Sequence, residues 1–166
     1  MQRGRFITFE GGEGAGKTTQ ARLLVERLRA AGLDVIQTRE PGGSPGAEEI
    51  RNIAVSGEAD RWSPRTETLL MYAARSDHLE RTIRPALAAG SWIVCDRFAD
   101  SSRVYQGAGG GVSESLIEAL DAAGGDCGQP DLTLVFVLAG WGGLERPFRR
   151  GPFRPRVVSL ALAFHP

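Results

Sequence analysis

A chain of 166 residues, 42% apolar and 24% charged, fits a single globular domain able to bury a sizeable core. Its net charge is zero, which argues against nucleic acid or a membrane surface as a partner. The charge is unevenly spread: residues 1–138 carry a net −4 and residues 139–166 a net +4, and four of the nine prolines fall in the last 20 positions. Of the 20 basic residues only Lys17 is a lysine, which sets that position apart. Cys95 and Cys127 lack metal-ligand spacing and read as reduced, structural thiols. No signal-peptide pattern opens the sequence, and Val157–Phe164 is too short an apolar run to cross a bilayer, so the expected location is cytoplasmic.

Phe6–Phe9 is predicted as a short buried strand, followed by the glycine-rich stretch Gly11–Gly16. Thr18–Ala31 has helical period, with Leu23, Leu24, Leu28 and Ala31 apolar among Arg22, Glu26, Arg27 and Arg29. Gly32 suits its C-terminal stop. Val35-Ile36 reads as a second strand and Gly46–Val55 as a helix. Ser63 as N-cap and Pro64 at the first helical position open a further helix. It is expected to run to about Ala89 with a kink near Pro85, where Gly90 ends it. Trp92–Cys95 is a third strand ending at Asp96, Ser113–Ala123 an amphipathic helix, and Leu132–Leu138 a strand buried on both faces. Alternating strands and helices predict an α/β fold, a parallel sheet flanked by helices on both faces with right-handed crossovers. The pattern stops after Leu138; beyond it only Val157–Phe164 reads as an apolar strand.

Gly11-Gly12-Glu13-Gly14-Ala15-Gly16-Lys17-Thr18 matches G-x-x-x-x-G-K-[ST] between a predicted strand and a predicted helix. A polyphosphate needs successive backbone N–H groups turned into one concavity, which glycine permits, and an adjoining helix N-terminus. In this pattern Lys17 bridges the outer phosphates and Thr18 offers a hydroxyl to Mg²⁺. Asp96, closing a buried strand, is a second candidate ligand, directly or through water; a helix cap or ion-pair role is the plainer alternative. No N-K-x-D segment is present, which argues against a GTPase. Transfer onto a second phosphate brings two polyanions together and calls for guanidiniums, for which Arg39, Arg75 and Arg97 are candidates.

Four ordered segments then resemble the bacterial thymidylate kinase family: Phe9–Thr19, Thr38-Arg39-Glu40-Pro41-Gly42-Gly43, Tyr72-Ala73-Ala74-Arg75, and Asp96-Arg97-Phe98 with Asp100-Ser101-Ser102 and Tyr105-Gln106-Gly107. The resemblance covers residue 5 to about 138. It implies a P-loop NTPase fold and transfer of the γ-phosphate of ATP to dTMP, giving dTDP, with Mg²⁺. It also implies a donor-phosphate loop of Gly11, Gly12, Glu13, Gly14, Ala15, Gly16, Lys17, Thr18 and Thr19. Lys17, Asp96 and Arg97 would be catalytic, and Thr18 and Asp96 would face the metal. On the acceptor side, Arg39 and Arg97 would meet the phosphate, Arg75 the thymine, and Glu13 the acceptor nucleotide. Ser101 and Ser102 would lie near the base and Tyr105 against the deoxyribose, with Gln106 beside them. Pro41 would sit in a turn of unusual backbone. Met71 stands one turn before Arg75, where the family stacks an aromatic on the base; Tyr72 next door is a substitute, and both suit the helix core equally well. A homodimer is implied as well.

The resemblance fades in the tail. Gly143-Leu144-Glu145-Arg146 looks like the approach to an arginine-rich lid, but Pro147-Phe148-Arg149-Arg150-Gly151-Pro152 does not continue it. The expectation is a core over 1–138 and an atypical tail over 139–166 that replaces the lid, the C-terminal strand and the closing helices. A frameshift near Ala139 would explain the change in charge and proline content. Poor solubility and weak turnover follow from that expectation, with Arg146, Arg149 and Arg150 as remnants of the lid. The alternatives are a nucleotide-binding remnant without catalysis and another P-loop kinase, such as one for a deoxynucleoside.

Overall fold

The computed structural model describes residues 3–58, 61–123, 129–138 and 156–162. Its strands are β1 (Phe6–Gly11), β2 (Val35–Arg39), β3 (Trp92–Asp96), β4 (Leu132–Leu138) and β5 (Arg156–Leu162). Its α-helices are α1 (Lys17–Ala30), α2 (Pro45–Val55), α3 (Pro64–His78), α4 (Arg84–Ala88), α5 (Ala99–Ser102) and α6 (Glu114–Ala123). The strands form one sheet in the order β2-β3-β1-β4-β5, every pair parallel. Aromatic and β-branched residues give β1 its strand preference, and near-continuous apolar runs suit strands covered on both faces.

Side-chain alternation divides the core in two. Ile7 and Phe9 of β1, Val35 of β2, Val94 of β3 and Phe136 of β4 pack with Ala21 and Val25 of α1. Phe6, Ile93 and Cys95 point the other way, against Leu79, Ile83, Ala86, Leu87 and Phe98. The same period of two sends Asp96 to the α1 face with Val94, and Glu10 to the opposite face with Phe6.

Three expectations change. The long helix departs from regularity before Pro85: α3 gives way to a π-helical turn over Leu79–Ile83, and α4 resumes at Arg84. Pro85 has no N–H and its ring crowds the carbonyl four residues back, so the wider turn absorbs the mismatch upstream. A helical segment missed in the sequence follows Phe98, α5 running into a π-helical stretch over Arg103–Gly109. The expected loss of the C-terminal strand is also corrected: β5 pairs with β4 from Leu132↔Arg156 to Leu138↔Leu162. An apolar Val157–Leu162 run satisfies the backbone edge that β4 would otherwise leave open. The expected lid approach and its remnants Arg146, Arg149 and Arg150 lie outside the described residues, as does Cys127.

Candidate active site

The carboxyl ends of three parallel strands deliver the site to one edge of the sheet. Phe9 of β1 and Arg39 of β2 are both register partners of Asp96, which ends β3. Crevices beyond the carboxyl ends of such strands are where open α/β sheets hold ligands. The chain leaves β1 through Gly11, where φ is +130° and a Cβ would fall 2.2 Å from the Phe136 carbonyl oxygen. Only glycine tolerates that backbone so close to the next strand.

The loop then turns into α1 at Gly16, and no side chain caps this helix. Ser44 and Ser63, by contrast, accept from the Ala47 and Thr66 N–H groups and cap α2 and α3. The first turn of α1 also lacks acidic residues, so its N–H groups and positive dipole end suit an anion. Lys17 is buried and donates to the Gly12 carbonyl at 2.6 Å. Burial, and then the charge of Arg97, hold its pKa below the usual lysine value.

Thr18 donates to Asp96 Oδ2 at 2.5 Å. The other oxygen, Asp96 Oδ1, is buried without a hydrogen-bond partner. A hydroxyl beside an unsatisfied carboxylate oxygen is a hard donor set, and it fits Mg²⁺. The helix-cap alternative for Asp96 is not what the structure shows.

Arg97 has φ +69°, the one non-glycine residue with positive φ among those described. Its N–H donates to the Phe9 carbonyl at 2.9 Å. Its guanidinium donates to the Tyr105 hydroxyl at 3.2 Å and the Ser101 hydroxyl at 3.5 Å, and lies 4.0 Å from the Glu13 carboxylate. The Tyr105 ring sits beneath it, 5.1 Å from centroid to guanidinium carbon. Glu13 is almost fully exposed on the loop.

A second cluster lies deeper. Arg75 donates through Nε to Glu40 at 2.7 Å and through Nη2 to Ser102 at 2.8 Å, between the rings of Tyr72 and Phe98. Its Nη1 is buried without a hydrogen-bond partner, a donor left unsatisfied. Burial opposes the charge, but Glu40 outweighs it and holds the Arg75 pKa above its ordinary value. The other Glu40 oxygen meets His78 Nδ1 at 3.1 Å, and His78 Nε2 shares a 2.8 Å bond with Thr38. Gly43 closes against this relay: a Cβ there would fall 2.3 Å from His78 Nε2.

The remaining residues divide. The Glu40–Pro41 peptide is cis, an unusual backbone of the kind expected at Pro41. Arg39 is exposed and paired with Glu48 at 2.9 Å, at the rim of the site. Met71 is half-buried one turn before Arg75. Tyr72 is buried and its hydroxyl donates to Asp121 at 2.8 Å, so it packs the helix and supports Arg75. Gln106 donates to Glu67 at 3.1 Å and ties the π-helical stretch to α3. Thr19 is exposed on the first turn of α1, and Ala15 is buried under the loop.

Sequence reasoning gave no role to Glu10, Glu40 or His78. Glu10 is buried; it accepts from the Phe98 N–H at 2.8 Å and the Ser101 hydroxyl at 2.6 Å. Burial, with Asp100 next, raises its pKa to about 7. Alternation along β1 places Glu10 inward with Phe6 and was the signal available for it.

A phosphate loop over a buried lysine, a hydroxyl–carboxylate pair for a hard cation, and a facing arginine cluster define a P-loop nucleotide kinase. The relatives narrow the class. The family model for thymidylate kinase matches residues 9–157, and the chain belongs to that family. It is 61% identical to a thymidylate kinase of Caulobacter vibrioides over 167 aligned positions, 99% of this chain and 79% of that protein. It is 59% identical to one from Rhizorhabdus wittichii, over 95% of this chain and 72% of the relative. The crystal structure of thymidylate kinase from Ehrlichia chaffeensis superposes with a TM-score of 0.74 at 39% identity, covering 81% of this chain and 76% of that one.

Proposed function

We propose that this chain transfers the γ-phosphoryl group of ATP to dTMP, releasing ADP and dTDP. A non-bridging oxygen of the dTMP phosphate forms the new bond to the γ-phosphorus as the bond to the bridging oxygen of ADP breaks. The single observation that carries this is the convergence at one sheet edge of the Lys17 loop, the Thr18–Asp96 pair and the Arg97 turn, with Arg75 Nη1 buried and unpartnered in the cluster behind them.

The α1 N–H groups and Lys17 would receive the donor phosphates. Arg97, with Arg39 at the rim, would hold the acceptor phosphate against them. Positioning and charge neutralisation are the main tasks in this reaction, because little covalent chemistry falls to the protein. Thr18 and Asp96 would hold Mg²⁺, which when bound neutralises charge on the transferring group. The Arg75 Nη1 donor would read a carbonyl on the base, with Met71 and Ser102 alongside; Tyr105, Gln106 and Glu13 would border the sugar and phosphate. A homodimer and a cytoplasmic location belong to the same reading. So does a division into a core over 1–138 and an atypical tail over 139–166.

The test is ADP formation from ATP and Mg²⁺ with and without dTMP, using Lys17→Ala as the blank. Expected is dTMP-dependent turnover that falls by about a thousandfold in the blank. A folded chain that binds dTMP and makes no ADP would favour a binding protein without catalysis. Turnover with thymidine but not with dTMP would favour a deoxynucleoside kinase.

A further inference from the structure

Arg97 is held in a conformation that its side chain disfavours. A bulky residue at φ +69° persists only where the surroundings over-determine it. The bracing comes from both sides. Upstream, the Arg97 N–H is fixed to the Phe9 carbonyl of β1, and the Cys95 thiol meets the Arg97 carbonyl oxygen at 3.1 Å. Downstream, the Phe98 N–H is taken by Glu10 Oε1, and Glu10 Oε2 takes the Ser101 hydroxyl. Phe98 is buried, so without Glu10 its N–H would be left unpaired in the interior.

Glu10 is an expensive residue for that task. Its carboxyl is buried, and its hydrogen-bond partners are a peptide N–H and a hydroxyl, both neutral. It also directly precedes Gly11, through which β1 passes into the phosphate loop. One carboxyl thus joins the strand that carries the donor loop to the turn that carries Arg97. Ser101, which it grips, also accepts from the Arg97 guanidinium, so turn and side chain are anchored to the same point.

We propose that Glu10 is a positioning residue for Arg97: by gripping Phe98 and Ser101 it keeps the turn left-handed and aims the guanidinium across the phosphate loop. The proposal rests on the phosphotransfer reading for its kinetic consequence, but not for its structural one.

The test is a kinetic cycle with a crystal structure. Glu10→Leu removes both acceptors at similar volume, and kcat with dTMP should fall about 100-fold. Glu10→Gln leaves an acceptor for Phe98 and lets the Ser101 hydroxyl turn to accept, so activity should return to within about 5-fold of the parent. In an Arg97→Ala background, Glu10→Leu should cost less than about 3-fold, because its effect passes through the missing side chain. Losses that multiply in the double variant would overturn the proposal. If the Leu variant does not fold, Ser101→Ala takes its place. It should cost about 5-fold in the parent and nothing further without Arg97; equal losses in both backgrounds would overturn the brace. A parent without dTMP-dependent turnover defeats the functional reading only. The crystal structure of Glu10→Leu then decides: Arg97 still near φ +69° overturns the brace, and a turn relaxed to negative φ upholds it.

Discussion

Glu10 and Asp96 show how the same group, a carboxylate, takes opposite roles on two neighbouring strands. Asp96 faces α1 and leaves one oxygen unsatisfied, while Glu10 faces the other side and has both oxygens engaged. Burial gives Glu10 a measurable signature. Its folded pKa, about 7, lies above the ordinary 4.5, so the fold binds its proton more tightly than the open chain does. The resulting stability is full below about pH 4.5 and is lost as pH rises through about 7. Across pH 4 to 8 this amounts to about 3 kcal/mol. Glu10→Gln should remove that component, so denaturant melts should show the variant gaining on the parent as pH rises. A difference that stays constant with pH would mean that the carboxyl titrates normally. The phosphate-loop residues were legible in sequence because phosphate binding demands glycine, lysine and a hydroxyl at fixed local spacing. Glu10, Glu40 and His78 were not, because each acquires its role from a partner brought close only by the fold.

At the scale of elements, the relay from Thr38 through His78 and Glu40 to Arg75 ties the carboxyl end of β2 to α3. Its centre is a nearly buried ion pair, with Arg75 9% and Glu40 5% exposed at the side chain. Glu40→Ala would strand a buried guanidinium and should cost about 3–5 kcal/mol, read from the denaturation midpoint. It should also raise the KM for dTMP, because the Arg75 donor loses its direction. An unchanged midpoint and KM would show that Arg75 is held by Ser102 and the flanking rings alone. The strands and main helices followed from their apolar period and capping residues, since Ser63-Pro64 and Gly90 are local signals. The Arg103–Gly109 stretch was given no element, because Gly107 and Gly109 carry no local helical signal. Tertiary ties hold it instead, from Gln106 to Glu67 and from Arg103 to Asp121.

For the whole molecule, β1 is the axis: it lies between β3 and β4 and serves the site from both of its faces. β5 extends the sheet beyond β4. Sequence reading marked the apolar run Val157–Phe164 as strand-like yet expected the C-terminal strand of the sheet to be lost, because charge and proline content change abruptly just before it and local composition cannot reveal which edge an apolar run will join. On the outside, Ile53 and Val55 of α2 and Leu69 of α3 are exposed apolar side chains on two helices packed together. If the proposed homodimer uses this face, Ile53→Arg with Leu69→Arg should convert a dimer to a monomer in sedimentation velocity. A parent that already sediments as a monomer would remove the dimer from the reading.

The solitary lysine has a further chemical meaning. With every other basic side chain an arginine, Lys17 is the only side-chain primary amine among the 166 residues. Its lowered pKa makes that amine a better nucleophile near neutral pH than an ordinary lysine, and its burial restricts attack to small acylating agents. Stable amide formation away from the chain terminus is therefore confined to the phosphate loop. A single mass increment on one peptide would report whether the loop is open or filled, without any need for turnover.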